Sequence, residues 1–261
     1  MLVDSHCHLD PAYLPAGPDD VLARAKAAGV STFVSIGVGR DLGAARAAVA
    51  LAGARDDVYA TVGVHPHDAA TTDDKGLEEI ARLAREPRVV AIGEIGLDYH
   101  YDHSPREVQQ KVFRRMIALA RETGKPIVIH TRSAAADTLA ILEEENARDV
   151  GGIIHCFSED RAFAERALGL DFDLSFSGIL TFKNAHNIRE AARFAPSDRI
   201  LVETDSPFLA PVPLRGKTCE PAYIVHTARC LAELRGETFD AVARQTTVNA
   251  AKRLALPLPL A

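Results

Sequence analysis

Eight short runs of β-branched and apolar residues recur along this chain, each followed by a segment of helical character, and no other feature constrains the fold as strongly. The runs are LVDSH (2–6), TFVSIGV (32–38), VYATVGV (58–64), RVVAIGEIG (88–96), PIVIHT (126–131), GGIIHCF (151–157), FDLSFSG (172–178) and RILVETD (199–205). Between them, DDVLARAKAAG stops at Gly29, and SPREVQQKVFRRMIALARETG opens on Ser-Pro and stops at Gly124. DTLAILEEEN and EDRAFAERALG have the same character. Strict alternation of strand and helix demands a parallel sheet, because each crossover returns the chain to the same sheet edge. Eight such units in 261 residues match the arithmetic of a (β/α)8 TIM barrel, typically about 250 residues. A doubly wound open sheet often starts on a Gly-rich phosphate turn, and neither GxGxxG nor a P-loop occurs here. The expected fold is therefore α/β, a single (β/α)8 TIM barrel spanning residues 1–261. Residues from about 255 to 261 read as a Pro-stiffened tail after the last helix, NAAKRL.

Composition narrows the function before any motif does. The chain carries 30 Lys and Arg against 36 Asp and Glu, a formal net charge of −6. That balance argues against a protein that coats duplex DNA through a broad basic face. A phosphate-handling pocket stays open, since bound metal ions supply positive charge locally. The cysteines, Cys7, Cys156, Cys219 and Cys230, form no CxxC pair, and a core of this size needs no staples, so they read as reduced thiols. Met1 leads directly into a strand-like segment without a signal pattern, and no apolar run approaches the roughly 20 residues of a membrane span. A cytoplasmic protein is expected, with no membrane association and no obligate protein partner.

The polar residues of the predicted strands gather at one end. His6 and His8 close the first strand, His65 the third, His130 the fifth and His155 the sixth; Glu94 lies on the fourth, and Glu203 and Asp205 close the eighth. In barrels of this kind the C-terminal end carries the active site. Side chains alternate along a strand, so His6 and His8 share a face, Cys7 is turned away, and Glu203 falls beside Asp205. Cys156 is expected to turn from the barrel axis in the same manner. A single His at a strand end is ordinarily a hydrogen-bonded structural residue. Six titratable groups in one mouth (His6, His8, Glu94, His130, His155 and Asp205) are costly to desolvate unpaired, and metal ions reconcile them best. Nitrogen and oxygen donors without thiolate suit Zn2+, Mn2+, Co2+ or Mg2+. Glu203, deeper than Asp205, is expected to orient a ligand by accepting its hydrogen bond. His65 is expected to contact substrate or support the site. Arg132, Lys183, Arg215 and Lys217 follow strands five, seven and eight and are candidates to seat phosphates, while Tyr99 and Phe208 are candidates to stack on a base.

Taken together, these segments resemble the TatD family of metal-dependent hydrolases, within the amidohydrolase-type barrels. The matching blocks are VDSHCHLD, VGVHPHD, AIGEIGLDY, PIVIHTRSA, GGIIHCFS, FSGILTFKNA, LVETDSPFLAPVPLRGK and EPAYI, in order from residue 3 to 224, and TTVNAAKRL is similar to the family's closing segment. The resemblance implies that His6, His8, Glu94 and Asp205 hold one divalent ion. It likewise implies that His130 and His155 hold a second, with Glu94 bridging, the ions being Mg2+, Mn2+ or Zn2+. The implied activity is that of a deoxyribonuclease trimming single-stranded DNA ends, with DNA ends or another phosphodiester as substrate. Two positions depart from the family pattern. His67 stands where Asn commonly follows the HP pair, and Glu159 where Gly often follows HCFS. Both lie in loops beyond the ligands and bear on substrate detail; His67 is a candidate for an added surface ligand.

The expected chemistry is phosphodiester hydrolysis by a metal-bound hydroxide, with Asp205 as proton acceptor and Glu94 as the bridging carboxylate. Another ester or amide, as in a D-aminoacyl-tRNA deacylase, would use the same centre. Many barrels of this group bridge two metals with a carboxylated lysine, whereas here no Lys ends a central strand and Glu94 takes that place. A non-catalytic scaffold has no need of an intact ligand set.

Overall fold

The computed structural model describes residues 1–15, 17–39 and 41–257. Among them the strands are β1 (Leu2–Cys7), β2 (Val30–Gly37), β3 (Val58–Val62), β4 (Val89–Asp98), β5 (Ile127–Arg132), β6 (Gly152–Ile154), β7 (Phe172–Phe176) and β8 (Ile200–Val202). The helices are α1 (Asp19–Ala27), α2 (Gly43–Ala54), α3 (Asp74–Leu83), α4 (Arg106–Thr123), α5 (Ala135–Glu144), α6 (Arg161–Gly169), α7 (His186–Phe194), α8 (Ile224–Arg235) and α9 (Phe239–Leu254). Strands neighbour one another in chain order from β1 to β8, all parallel. β8 returns to β1 through a parallel bridge between Cys7 and Ser206. There the Asp205 N–H donates to His6 O at 2.9 Å and the His8 N–H to Ser206 O at 2.8 Å. The expected (β/α)8 barrel is thus nearly closed.

Local chemistry sets the helix ends. Asp73, Asp160 and Thr238 each accept a backbone N–H of the first turn they precede, starting α3, α6 and α9. Gly124, the predicted stop of α4, sits at φ +65°, where a side chain would be strained. Apolar side chains then sort into two layers. Outward-facing strand residues such as Phe33, Val58, Ile92 and Leu174 pack on Leu22, Ala48, Ile80 and Ile117 of the surrounding helices. Inward-facing Val3, Val34, Ile36, Tyr59, Ala91, Val128, Ile153 and Leu201 fill the barrel and meet Ala250, Leu254 and Leu256 beneath it. Leu256 therefore anchors the start of the predicted tail; residues 258–261 lie outside the described residues.

Two irregularities turn the upper barrel into a polar site. Between Asp4 and Cys7, β1 spends three steps against two on β2, and between Ile92 and Ile95, β4 does the same against β5. Such a bulge resets the alternation of side chains. Val3 and Ser5 both face inward, the latter 3.1 Å from the Ser175 hydroxyl, yet Cys7 packs in the outer layer, as expected from its place between two inward histidines. The displaced Asp4 is buried at the β1–β8 seam, where Thr204 donates its N–H at 3.0 Å and its hydroxyl at 2.6 Å. Burial there pushes the Asp4 carboxyl up to about 8.

Several strands end earlier than the periodicity suggests. β6 stops at Ile154 and β8 at Val202, whereas runs to 157 and 205 were expected. The reason is conformational: Cys156 and Asp205 adopt φ of +45° and +57°, which no extended strand accommodates. β4 instead runs two residues further than predicted, to Asp98. No helix among the described residues is long and apolar enough to cross a membrane.

Candidate metal centre

The barrel opens at its C-terminal end into a cavity of about 800 Å³. His8, His65, Glu94, His130, His155 and Asp205 line it, and fully buried His6 stands beside Glu94 and Asp205. Close approach of two strands makes this possible. At Gly96, with φ +140°, a Cβ would stand 1.9 Å from the His130 carbonyl oxygen, so only glycine lets β4 and β5 pair here.

Glu94 is the hub. Its Oε1 lies 2.8 Å from His130 Nδ1, 3.0 Å from His155 Nε2 and 3.4 Å from His65 Nε2, and its Oε2 lies 3.5 Å from His6 Nε2. Asp205 Oδ1 stands 3.6 Å from His6 Nε2 and 3.5 Å from His8 Nε2. The rings of His6 and His155 stack with centroids 3.8 Å apart. Among the described residues three groups have donor atoms close enough to share an ion: His6, His8 and Asp205; His65, Glu94 and His130; and His6, His155 and Glu203.

Opposed effects set the charge of this cluster. Burial alone would push the Glu94 carboxyl up, but the imidazoles of His155, His65 and His130 outweigh it and hold it well below the usual range. Asp205 shows the same balance against burial through His8, His155 and His6. Burial drives His65 down to about 4 and lowers His6. Nearby carboxylates lift His8, His130 and His155 despite equal burial.

The donors fit divalent metal. Both ring nitrogens of buried His6 lack any hydrogen-bond partner, a cost that ligation removes at Nε2. All donors are imidazole nitrogen or carboxylate oxygen, the set that Zn2+, Mn2+, Co2+ and Mg2+ accept. Glu203 places its Oε1 3.0 Å from His155 Nδ1 and accepts the Cys156 N–H at 2.7 Å.

Other expectations are corrected. Lys183, Arg215 and Lys217 are exposed and do not line the cavity. The segment after Asp205 leans outward on the turn that follows β7, where the Val212 N–H bonds the Thr181 hydroxyl and Arg215 lies 4.1 Å over the Phe182 ring. Arg132 does line the cavity, beside Tyr101. Tyr99 is not available to stack, because Arg106 covers its ring and its hydroxyl bonds Asp137 at 2.8 Å. Phe208 does face the cavity, edge-on to Tyr13. His65 stands beside the donors, its Nε2 3.4 Å from Glu94 Oε1. Cys156 lines the cavity instead of turning away, a consequence of its positive φ. Tyr13, Tyr101 and Asp98 were not singled out from sequence; the signal for Asp98 was the continued alternation Glu94, Gly96, Asp98.

A barrel with this cluster in its mouth is built as a metal-dependent hydrolase. The chain belongs to the TatD family: the family model described as TatD related DNase matches residues 3–254. It is 48% identical over 261 residues to the uncharacterized metal-dependent hydrolase YcfH of Escherichia coli K12, covering 96% of this chain and 94% of that one. It is 35% identical over 236 residues to a Klebsiella pneumoniae protein named 3'-5' ssDNA/RNA exonuclease TatD, with 88% and 89% coverage. Among solved structures it is similar to YJJV, a TatD homologue of Escherichia coli K12, with a TM-score of 0.91, 28% identity and 98% of each chain covered.

Proposed function

We propose that this hydrolase is a deoxyribonuclease that trims single-stranded DNA ends. One observation carries the reading: aromatic side chains flank the donor cluster on both sides of a single cavity. Tyr13 and Phe208 stand beside His8 with ring centroids 5.7 and 5.8 Å away, and Tyr101 stands 5.5 Å from His67 on the side of His130. Aromatic faces on a narrow mouth hold unpaired bases whatever their identity. The Klebsiella relative's name supports the same substrate class.

His6, His8, Glu94 and Asp205 would hold one divalent ion, and Glu94, His130 and His155 a second, with His65 a further donor. When bound, such ions polarise phosphoryl oxygens and make water a nucleophile near neutral pH. Asp205 turns Oδ1 to His6 and His8 as the ligand atom, and its other carboxylate oxygen would accept the proton of the attacking water. His8, Tyr13 and Phe208 form one wall against the substrate and Arg132 meets its phosphate from the other.

The test is metal-free protein reconstituted with Mg2+, Mn2+ and Zn2+ in turn, assayed on end-labelled single- and double-stranded DNA and a panel of phosphodiesters and carboxylic esters. Progressive shortening of single strands, abolished by Glu94→Ala, is expected. Activity confined to carboxylic esters or amides would sink the nuclease assignment. Full rate in Asp205→Asn with metal bound would sink the proton-acceptor role.

A further inference from the structure

An imidazole offers a lone pair to a metal from one nitrogen, and the partner of its other nitrogen decides which. His155 turns Nδ1 to Glu203 and so presents Nε2 to Glu94 Oε1 at 3.0 Å. His130 is mounted the other way round. Its Nδ1 faces Glu94 Oε1 at 2.8 Å, and its Nε2 faces Asp98 Oδ2 at 3.1 Å.

Asp98 is buried and its carboxylate is filled with donors. The N–H groups of His100 and Tyr101 reach Oδ1 at 3.0 and 2.8 Å, and His67 Nε2 stands 2.9 Å from Oδ2. Backbone N–H groups can only donate, so this carboxylate is held as an acceptor. Gln109 clamps its backbone, accepting the Asp98 N–H at 2.8 Å and donating to Asp98 O at 3.1 Å.

We propose that Asp98 is the positioning residue for His130, drawing the imidazole proton to Nε2 so that the Nδ1 lone pair faces the metal beside Glu94. The role rests on the metal reading of the preceding section. Without Asp98 the nearest acceptor for His130 is Glu94 Oε1, and an Nδ1–H bond to it would occupy a ligand nitrogen and a ligand oxygen together. The same carboxylate also reaches outward. Through Oδ1 it holds the turn that carries Tyr101, whose ring lines the cavity beneath Arg132. Ligand orientation and cavity wall thus share one anchor.

Zn2+ titration of the metal-free chain against a competing chromophoric chelator tests this, and DNA plays no part in it. Asp98→Asn is expected to weaken one bound equivalent about 10- to 100-fold; an isotherm identical to wild type overturns the proposal. Should that variant not fold, wild-type spectra carry the question. In long-range 1H–15N correlations of the Zn2+-loaded protein, His130 is expected to bear its proton on Nε2 and His155 on Nδ1. A His130 proton on Nδ1 overturns the proposal. A wild-type chain that takes up no Zn2+ overturns the metal reading itself and this role with it.

Discussion

At the N-terminal end of the barrel Asp171 and Asp173 receive guanidinium groups from two directions, whereas at the C-terminal end Glu94 and Asp205 receive none from the described residues. Arg253 on α9 reaches Asp173 Oδ2 with Nε at 2.7 Å and Asp171 Oδ2 with Nη1 at 3.0 Å, and Arg199 also pairs with Asp173. Around Glu94 and Asp205 the described partners are imidazoles, themselves candidate donors to metal. One end therefore completes its charge pairing within the chain and the other leaves it to a bound ion. Asp173 is as buried as Glu94, and what separates the two ends is whether the counter-charge is covalently attached. The lower end serves stability and the upper end chemistry, the division expected of this fold.

A pair of alanine substitutions puts that division at greatest risk. Glu94→Ala is expected to lower kcat/KM of the metal-loaded enzyme by on the order of 10²- to 10³-fold or more, while the urea midpoint of the metal-free chain does not fall. Arg253→Ala is expected to cost about 1.5 kcal/mol of stability, because buried Asp173 loses two charge-assisted hydrogen bonds and keeps only Arg199, with kcat/KM unchanged. Full activity in the first, or wild-type stability in the second, would erase the contrast.

Smaller effects sharpen it. Phe208 is 44% exposed, so Phe208→Ala is expected to leave the urea midpoint alone and raise KM for single-stranded DNA about tenfold, the worth of one stacked base. An unmoved KM would remove that side chain from the substrate path. At the lower end the signal is pH. Burial raises the Asp171 carboxyl, and Arg253, with help from Arg199 and Lys252, outweighs it and holds the group below its usual 3.8. Its stabilising share is present above that value and lost as pH falls through the lower folded-state value. Wild type is thus expected to lose more stability between pH 5 and pH 3 than Arg253→Ala does, by under about 1 kcal/mol given the exposure of Asp171. Equal losses would show that this pair does not carry the acid sensitivity.

Strand order and the inward set of His6, His8, Glu94, His130 and His155 were legible because alternation is a local property that survives into the fold. The bulges at Asp4–Cys7 and Ile92–Ile95 were not, since they appear only when one strand is counted against its neighbour. Loop positions were least legible. Lys183, Arg215 and Lys217 follow strand ends in sequence, yet the loop after Asp205 packs outward on Phe182, a contact that periodicity does not encode. Cys156 escaped for a related reason: one positive φ cancels the alternation from which its direction was inferred.

The seam between β1 and β8 has a temporal consequence. Asp4 and Thr204, which close it, stand 200 positions apart, and His6 and Asp205 flank them. The histidine pair leaves the ribosome ahead of β2, but its carboxylate partner follows only after all eight strands. Ring closure of so long a loop comes late in folding, since contacts of large sequence separation carry the largest entropic cost. A nascent or truncated chain therefore holds only part of the ion-binding set, and hydrolysis begins only when the polypeptide has come full circle.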